Sequence, residues 1–429
     1  MKVENTVIFL HNLFGGPIAK DDHRLTPLQM CIYTTTVIGT SVAFFTLCLF
    51  DLHRMLYSRD LVLSVIDLLM LLGIATTVLA IQSSAVIKHL TKSRVSIFQC
   101  LDDIDAHLYT LNVGGEPTHN LSRNWLVAAL GAIVISLAYL LAIALRINQA
   151  NTLIFAFKAY GMFVIFLMDG MFLVLCYQIW QRIRCMVVHL GKMIASFKRQ
   201  NKRSNNSDKG NVSLRFCRDL QTLAIVQWQC FRACNRLNDE CGLSNVSIFG
   251  MFFYVLTAKS FQLFYICSIE FKRHGFTFTH LLEPTVLIIA VFLYFFTSAY
   301  LGEMVLRETQ LVINNLHKFE SMHTTSQHKI NQSELVEQLG NQIVHQPICF
   351  NVINFFQIDL KFFHLLAHTH NRCWDQLNMV PRREKHMFLP PLLRTSIFHS
   401  MHTPQRFVLI CYYPNVNSRR KGLAVESFR

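Results

Sequence analysis

Five ionisable side chains stand inside long apolar stretches of this chain: Asp67, Lys158, Asp169, Lys259 and Glu283. A charge placed in hydrocarbon costs roughly 3 kcal/mol or more, so such residues mark working sites by default. Three kinds of chemistry are open to them. The lysines can snorkel toward the interface. They can pair with Asp67 and Asp169 as structural ion pairs. Or the charged groups can hold a polar small molecule. Tyr139, Tyr160, Gln262 and Tyr265 lie in the same stretches. Phenol rings, an amide and a few charges would line an aqueous pocket of the kind that takes small ligands. Bond-breaking chemistry has no support: the sequence contains no GxSxG, no HExxH and no Walker-type glycine-rich loop.

The elements that carry these residues are apolar runs. Six are long enough to cross a bilayer, over Leu28–Phe50, Leu61–Ile87, Trp125–Ile147, Thr152–Trp180, Val246–Ile269 and Leu282–Leu301. Each holds roughly 20 or more residues, the length needed to span ~30 Å of hydrocarbon. A seventh begins near Cys349 and loses its apolar character at His368–Asn371. The chain is 52% hydrophobic and 15% charged, with a mean hydropathy of +0.33. A soluble protein of this length would spread its apolar residues in shorter periodic stretches. No cleavable signal peptide is evident, so the first span is expected to direct insertion.

The net charge of +14 reads as an orientation signal rather than a nucleic-acid surface. The basic residues gather in the N-terminal segment and the even loops. The second loop carries Lys88, Lys92, Arg94 and Arg123, and the fourth runs from Arg182 to Arg236. The positive-inside rule then puts the N-terminus and the even loops in the cytoplasm. Asp67, Lys158, Lys259 and Glu283 consequently fall in or near the outer half. Sequons at Asn120, Asn205, Asn211, Asn245 and Asn331 lie on the cytoplasmic side and read as chance matches. Cys230, Cys234 and Cys241 belong to that side too, where disulfides are not expected.

Helical periodicity continues past the spans. Ile183, Met186, Val187, Leu190, Met193 and Ile194 extend the fourth, and Phe216–Leu237 leads into the fifth. Between them, Ser204–Gly210 reads as a solvated linker. Glu303–Phe319 extends the sixth span, and Glu334–Val344 leads toward the seventh run.

Motifs then add a resemblance. Glu337-Gln338-Leu339, His345-Gln346-Pro347, Phe350-Asn351-Val352 and Phe355-Phe356-Gln357-Ile358-Asp359-Leu360 resemble the start of the C-terminal signature of insect gustatory receptors. Arg307-Glu308-Thr309 with Leu316-His317-Lys318, and Asn235-Arg236-Leu237-Asn238, are similar to stretches flanking their sixth and fifth helices. The resemblance covers most of Leu28–Phe363. It implies an all-α polytopic membrane protein, a seven-helix insect chemoreceptor bundle related to odorant receptors, with a cytoplasmic N-terminus. It further implies a plasma-membrane, ligand-gated, non-selective cation channel built as a homo- or hetero-tetramer. The ligand would sit among the outer helix halves, the seventh helix would line the pore, and the cytoplasmic helices would anchor the subunits. A sugar or a bitter alkaloid would suit the pocket residues named above. No cofactor, metal or nucleic-acid partner is expected.

The sequence departs from that family where the pore should be completed. The family's Thr-Tyr and Gln-Phe pairs are absent after Phe363, and the seventh helix reads as truncated or altered. Residues 364–429 form a divergent basic tail with five prolines, from Pro381 to Pro414. The tail reads either as an intron or wrong-exon read-through or as a divergent isoform. This gives three segments: a cytoplasmic stretch 1–27, the receptor domain 28–363 with helical extensions at about 181–245 and 302–345, and the tail 364–429. Gln357 and Asp359 stand at the approach to the pore, either setting its electrostatics or capping a helix. His364, His368, His370 and Cys373 fit zinc by spacing, but lack a matching half-site. Two other classes remain open: a seven-helix receptor signalling through a cytoplasmic partner, and a secondary transporter.

Overall fold

In the computed structural model the described residues are 27–56, 61–90, 97–111, most of 130–141, 152–203, 206–267, 278–321, 330–352, 356–361 and scattered positions to 368. The chain divides into two units, Met1–His370 and Asn371–Arg429. The second lies wholly outside the described residues, and with it most of the divergent tail.

Helices dominate the first unit. They are α1 (Pro27–Leu56), α2 (Leu61–Leu90), α3 (Ile97–Thr110), α4 (Thr152–Arg203), α5 (Asn206–Tyr265), α6 (Phe278–Ser321) and α7 (Ile330–His345). A small antiparallel hairpin follows, β1 (Asn351–Val352) and β2 (Phe356–Gln357), with Asn351 opposite Gln357. Among the described residues five helices are long and apolar enough to cross a membrane. The stretch expected as the third span falls mostly outside the described residues. Its described part, within 130–141, is helical.

Apolar stripes face outward. Ile38, Val42, Phe45 and Leu49 are exposed along one face of α1, at a spacing of three and four residues. Leu130, Val134, Leu137 and Leu141 repeat this spacing. Ile289, Phe292, Leu293 and Phe296 do the same on α6. Stripes of this length would be liabilities in water and are at home against lipid.

Helices α4, α5 and α6 are 52, 60 and 44 residues long. At 1.5 Å per residue even the shortest reaches about 66 Å, twice the hydrocarbon thickness, so all three project well past the membrane. A knot of rings joins the projections. Phe216 stacks on Phe319 at 4.5 Å, and Phe197 reaches both, at 4.9 and 5.5 Å. Each such ring pair adds roughly 1 kcal/mol beyond its burial. Helix α7 docks on α5, where the Gln342 amide donates to the Ala224 carbonyl at 3.3 Å.

Three features differ from the sequence expectation. The linker Ser204–Gly210 is helical from Asn206 onward. Polar composition alone does not break a helix, and this stretch holds no proline. The second loop contains α3, whose Ile97, Leu101, Ile104 and Leu108 repeat at helical spacing and are buried. An Arg182–Asp105 ion pair fastens α3 to α4. The seventh run starts as the hairpin rather than as a helix; described helical residues begin at Leu360. Pro347 and the β-favouring Val352 and Phe356 account for the extended start.

Cysteines 100, 176, 230, 234, 241 and 349 are free thiols. Outside the spanning helices, burial pushes the Cys100 thiol up from its ordinary value, which keeps it an inert packing group.

Candidate functional site: an ion cluster shared by four helices

Five of the residues singled out by sequence come together at one end of the bundle. Lys259 of α5 is the hub. Its side chain is fully buried, and its Nζ donates to Glu283 Oε1 of α6 at 2.6 Å and to Gln262 Oε1 at 2.8 Å. Asp67 of α2 lies 3.9 Å from the same nitrogen and 3.5 Å from Lys158 Nζ of α4. Two amines and two carboxylates thus balance across four helices.

The helical periods explain the meeting. Lys259 and Gln262 are three residues apart and share a face of α5. Asp67, Lys158 and Glu283 stand in the opening turns of α2, α4 and α6 as these enter the bundle from the same end. Tyr254, five residues before Lys259 on α5, fixes the neighbouring turn of α2 by donating to the Ile66 carbonyl at 3.1 Å.

The cluster is closed at one side and open at the other. Lys259, Lys158 and Glu283 are buried, while the Asp67 side chain keeps 37% of its surface. Lys158 is held more loosely than Lys259. Among the described residues its one ion pair is long, and its ammonium lies 5.7 Å from the centre of the Phe155 ring. A tight pair deep in the bundle is hard to disturb, because removing either partner strands a charge. A loose pair with an exposed carboxylate can exchange partners with an entering polar molecule.

The expected partners are partly corrected. The lysines pair with Asp67 and Glu283; Asp169 stands apart. It lies eleven residues beyond Lys158 on α4, about 16 Å along the axis. Tyr139 is fully buried, and Tyr160 and Tyr265 are half-buried. The hydrogen bonds and ion pairs described above run among the other five residues. Gln357 and Asp359 belong to the hairpin region, with Gln357 in β2 and Asp359 just after it. Asn245, one of the sequon positions, is only 2% exposed on α5, which leaves no room for a glycan.

At the opposite end the hairpin is gripped by α4, α5 and α6. Asn238 of α5 uses both ends of its amide. Its nitrogen donates to the Cys349 carbonyl at 3.0 Å, and its oxygen accepts from the Asn351 N–H at 3.1 Å. The Cys234 thiol donates to the same Cys349 carbonyl at 3.0 Å. Phe172 of α4 packs edge-on against Phe350 at 6.1 Å. On α6, Gly302 lets the Ile358 backbone approach so closely that any Cβ there would collide with its carbonyl oxygen. The Ile358 N–H in turn donates to the Phe350 carbonyl at 2.8 Å. Sequence patterning marked Asn238 only through its motif and did not mark Gly302. Described His364 and His368 are exposed, whereas His370 and Cys373 lie outside the described residues. No group of three or more metal-ligating side chains occurs among the described residues.

A membrane-spanning helical bundle with a part-open polar cluster at one end and a gripped hairpin at the other has the build of a receptor, not of an enzyme. The chain belongs to the 7tm chemosensory receptor family, whose model matches residues 13–369. Its fold is that of the insect chemoreceptors. The structure of the insect olfactory receptor OR5 from Machilis hrabei in complex with eugenol is similar, with a TM-score of 0.61 at 13% identity, covering 88% of this chain and 97% of that one. A second OR5 structure gives 0.59 at 14% identity, covering 88% and 98%. At that identity the likeness is one of fold. No curated protein matches the sequence.

Proposed function

We propose that this receptor is a gustatory subunit of a ligand-gated, non-selective cation channel in the plasma membrane of sensory neurons. The subunits assemble as a homo- or hetero-tetramer around their seventh helices. The observation that carries the reading is the balanced cluster of Asp67, Lys158, Lys259, Gln262 and Glu283. It offers donors and acceptors side by side with one exposed carboxylate, which suits a polar tastant such as a sugar or an alkaloid. Tyr139, Tyr160 and Tyr265 are proposed to add aromatic surface to the same pocket.

Glu283 and Gly302 share α6, nineteen residues and about 28 Å apart. Movement at the cluster therefore reaches the hairpin along one continuous helix. The ligand opens the channel only by binding the open arrangement better than the closed one. Gln357 and Asp359 stand at the entrance to the pore helix, where their charge and hydrogen bonding would act on permeant cations.

Whole-cell recording from cells expressing the chain, alone and with its seventh helix completed, tests this against a panel of sugars and alkaloids. The expected result is a tastant-evoked inward current carried by several monovalent cations. Normal surface delivery of the completed chain with no evoked current across the panel would overturn it.

A further inference from the structure

The four charges of the cluster cancel, and that limits what can enter it. Lys259, Glu283 and Gln262 form its closed half, with bonds of 2.6 and 2.8 Å. Lys158 and Asp67 form its open half. They lie 3.5 Å apart, with 37% of the Asp67 side chain exposed. An entering molecule therefore meets one cation and one anion side by side, joined by a long contact. The Tyr254 hydroxyl holds the α2 turn beside Asp67 through the Ile66 carbonyl and lies within electrostatic range of the Asp67 carboxylate. The backbone under Asp67 is thus fixed, and exchange at this pair is a matter of side-chain rotation.

Charge decides between guests. A cation on Asp67 leaves three cations against two carboxylates, with Lys158 buried and unpaired. An anion on Lys158 stands beside Asp67 and is repelled by it. Uncompensated charge in a buried setting is costly. A neutral polyol keeps the balance, but it trades an ion–ion contact for ion–hydroxyl ones, which carry less Coulomb energy. A zwitterion keeps the balance and replaces like with like. Its carboxylate accepts from Lys158, and its ammonium donates to Asp67. Phe155 is half-buried, with its ring centre 5.7 Å from the Lys158 ammonium, so a side chain on the guest has an apolar neighbour.

We propose that the Lys158–Asp67 pair is a site for a free α-amino acid with an apolar side chain, which enters by bridging the two residues. The assignment rests on the cluster being the ligand site and narrows the class of ligand. Sugars bind the same pair more weakly.

Leucine is the probe, with glucose and two partial analogues beside it: isocaproate lacks the amine, and isoamylamine lacks the carboxylate. The thermal unfolding midpoint of the purified full chain in detergent is titrated with each. Leucine should raise the midpoint in a saturable way, half-maximal at about tenfold lower concentration than the other three. Asp67→Asn should bring leucine level with isocaproate, and Lys158→Met should bring it level with isoamylamine. A purely structural pair would move the midpoints of the variants but not the order of the ligands. If either variant fails to fold, the four-ligand comparison in the wild type decides the matter. Leucine no better than isocaproate, isoamylamine or glucose would overturn the proposal. Whole-cell recording separates it from the channel reading. Leucine that binds without evoking a current upholds the site and counts against the channel. A glucose-evoked current with no leucine binding overturns the site and leaves the channel standing.

Discussion

The two ends of the bundle are held by different chemistry. At the Asp67 end, side chain meets side chain in ion pairs that need four helices in register. At the hairpin end, side chains hold a backbone: Asn238 grips Cys349 and Asn351, and Gly302 admits Ile358. The first arrangement can be rewired, because an entering polar group can replace Asp67 on Lys158. The second fixes backbone in place: the Cys349 carbonyl accepts from both Asn238 and Cys234, and Gly302 leaves Ile358 no room to shift. On the proposed reading, occupancy at the first end is passed to the second along the helices that the two ends share.

The comparison breaks most visibly at its tightest ion pair. Lys259→Met strands Glu283 in the bundle and should cost roughly 3–5 kcal/mol. Thermal unfolding and surface delivery would register it, and Lys259→Met with Glu283→Gln together should recover most of the loss. Gly302→Ala forces the hairpin backbone away from α6, an overpacking cost of roughly 1–3 kcal/mol. Faster proteolysis around residues 349–359 should accompany it, with the Asp67 end unaffected. Asn238→Ala removes two hydrogen bonds to buried backbone and should cost about 1–2 kcal/mol, visible in the same assays. Lys158→Met should be nearly neutral in stability, below about 1 kcal/mol, because its pair is long and Asp67 can turn to water. A large loss of stability in Lys158→Met would put the two lysines on an equal footing and erase the distinction drawn within the cluster.

Much of this was legible in the sequence, for a reason particular to membranes. A charge in a spanning helix is so costly that Asp67, Lys158, Lys259 and Glu283 announce themselves, and the shared period of α5 brings Gln262 with Lys259. Which acid meets which amine was not legible. It depends on helix rotation and depth, and these place Glu283, rather than Asp169, against Lys259. Helix α3 was legible in principle, since Ile97, Leu101, Ile104 and Leu108 keep helical spacing within a loop otherwise notable for its basic residues. The hairpin was not, because Asn351–Gln357 is a short apolar run that reads equally as the start of a helix. Gly302 has no signal at all in a single sequence, since its role is set by Ile358, fifty-six residues away. The orientation from basic loops awaits glycosylation mapping: a sequon introduced into the first loop should be modified, and one in the second loop should not.

The account turns on the cluster being where the ligand acts. Dose–response recording of Lys158→Met beside the wild type, with the panel compound that evokes the largest wild-type current, tests this most directly. The account predicts a shift to about ten-fold higher half-maximal concentration, with maximal current and surface level unchanged, the loss of about one hydrogen bond to a charged group. An unchanged half-maximal concentration in Lys158→Met would contradict it.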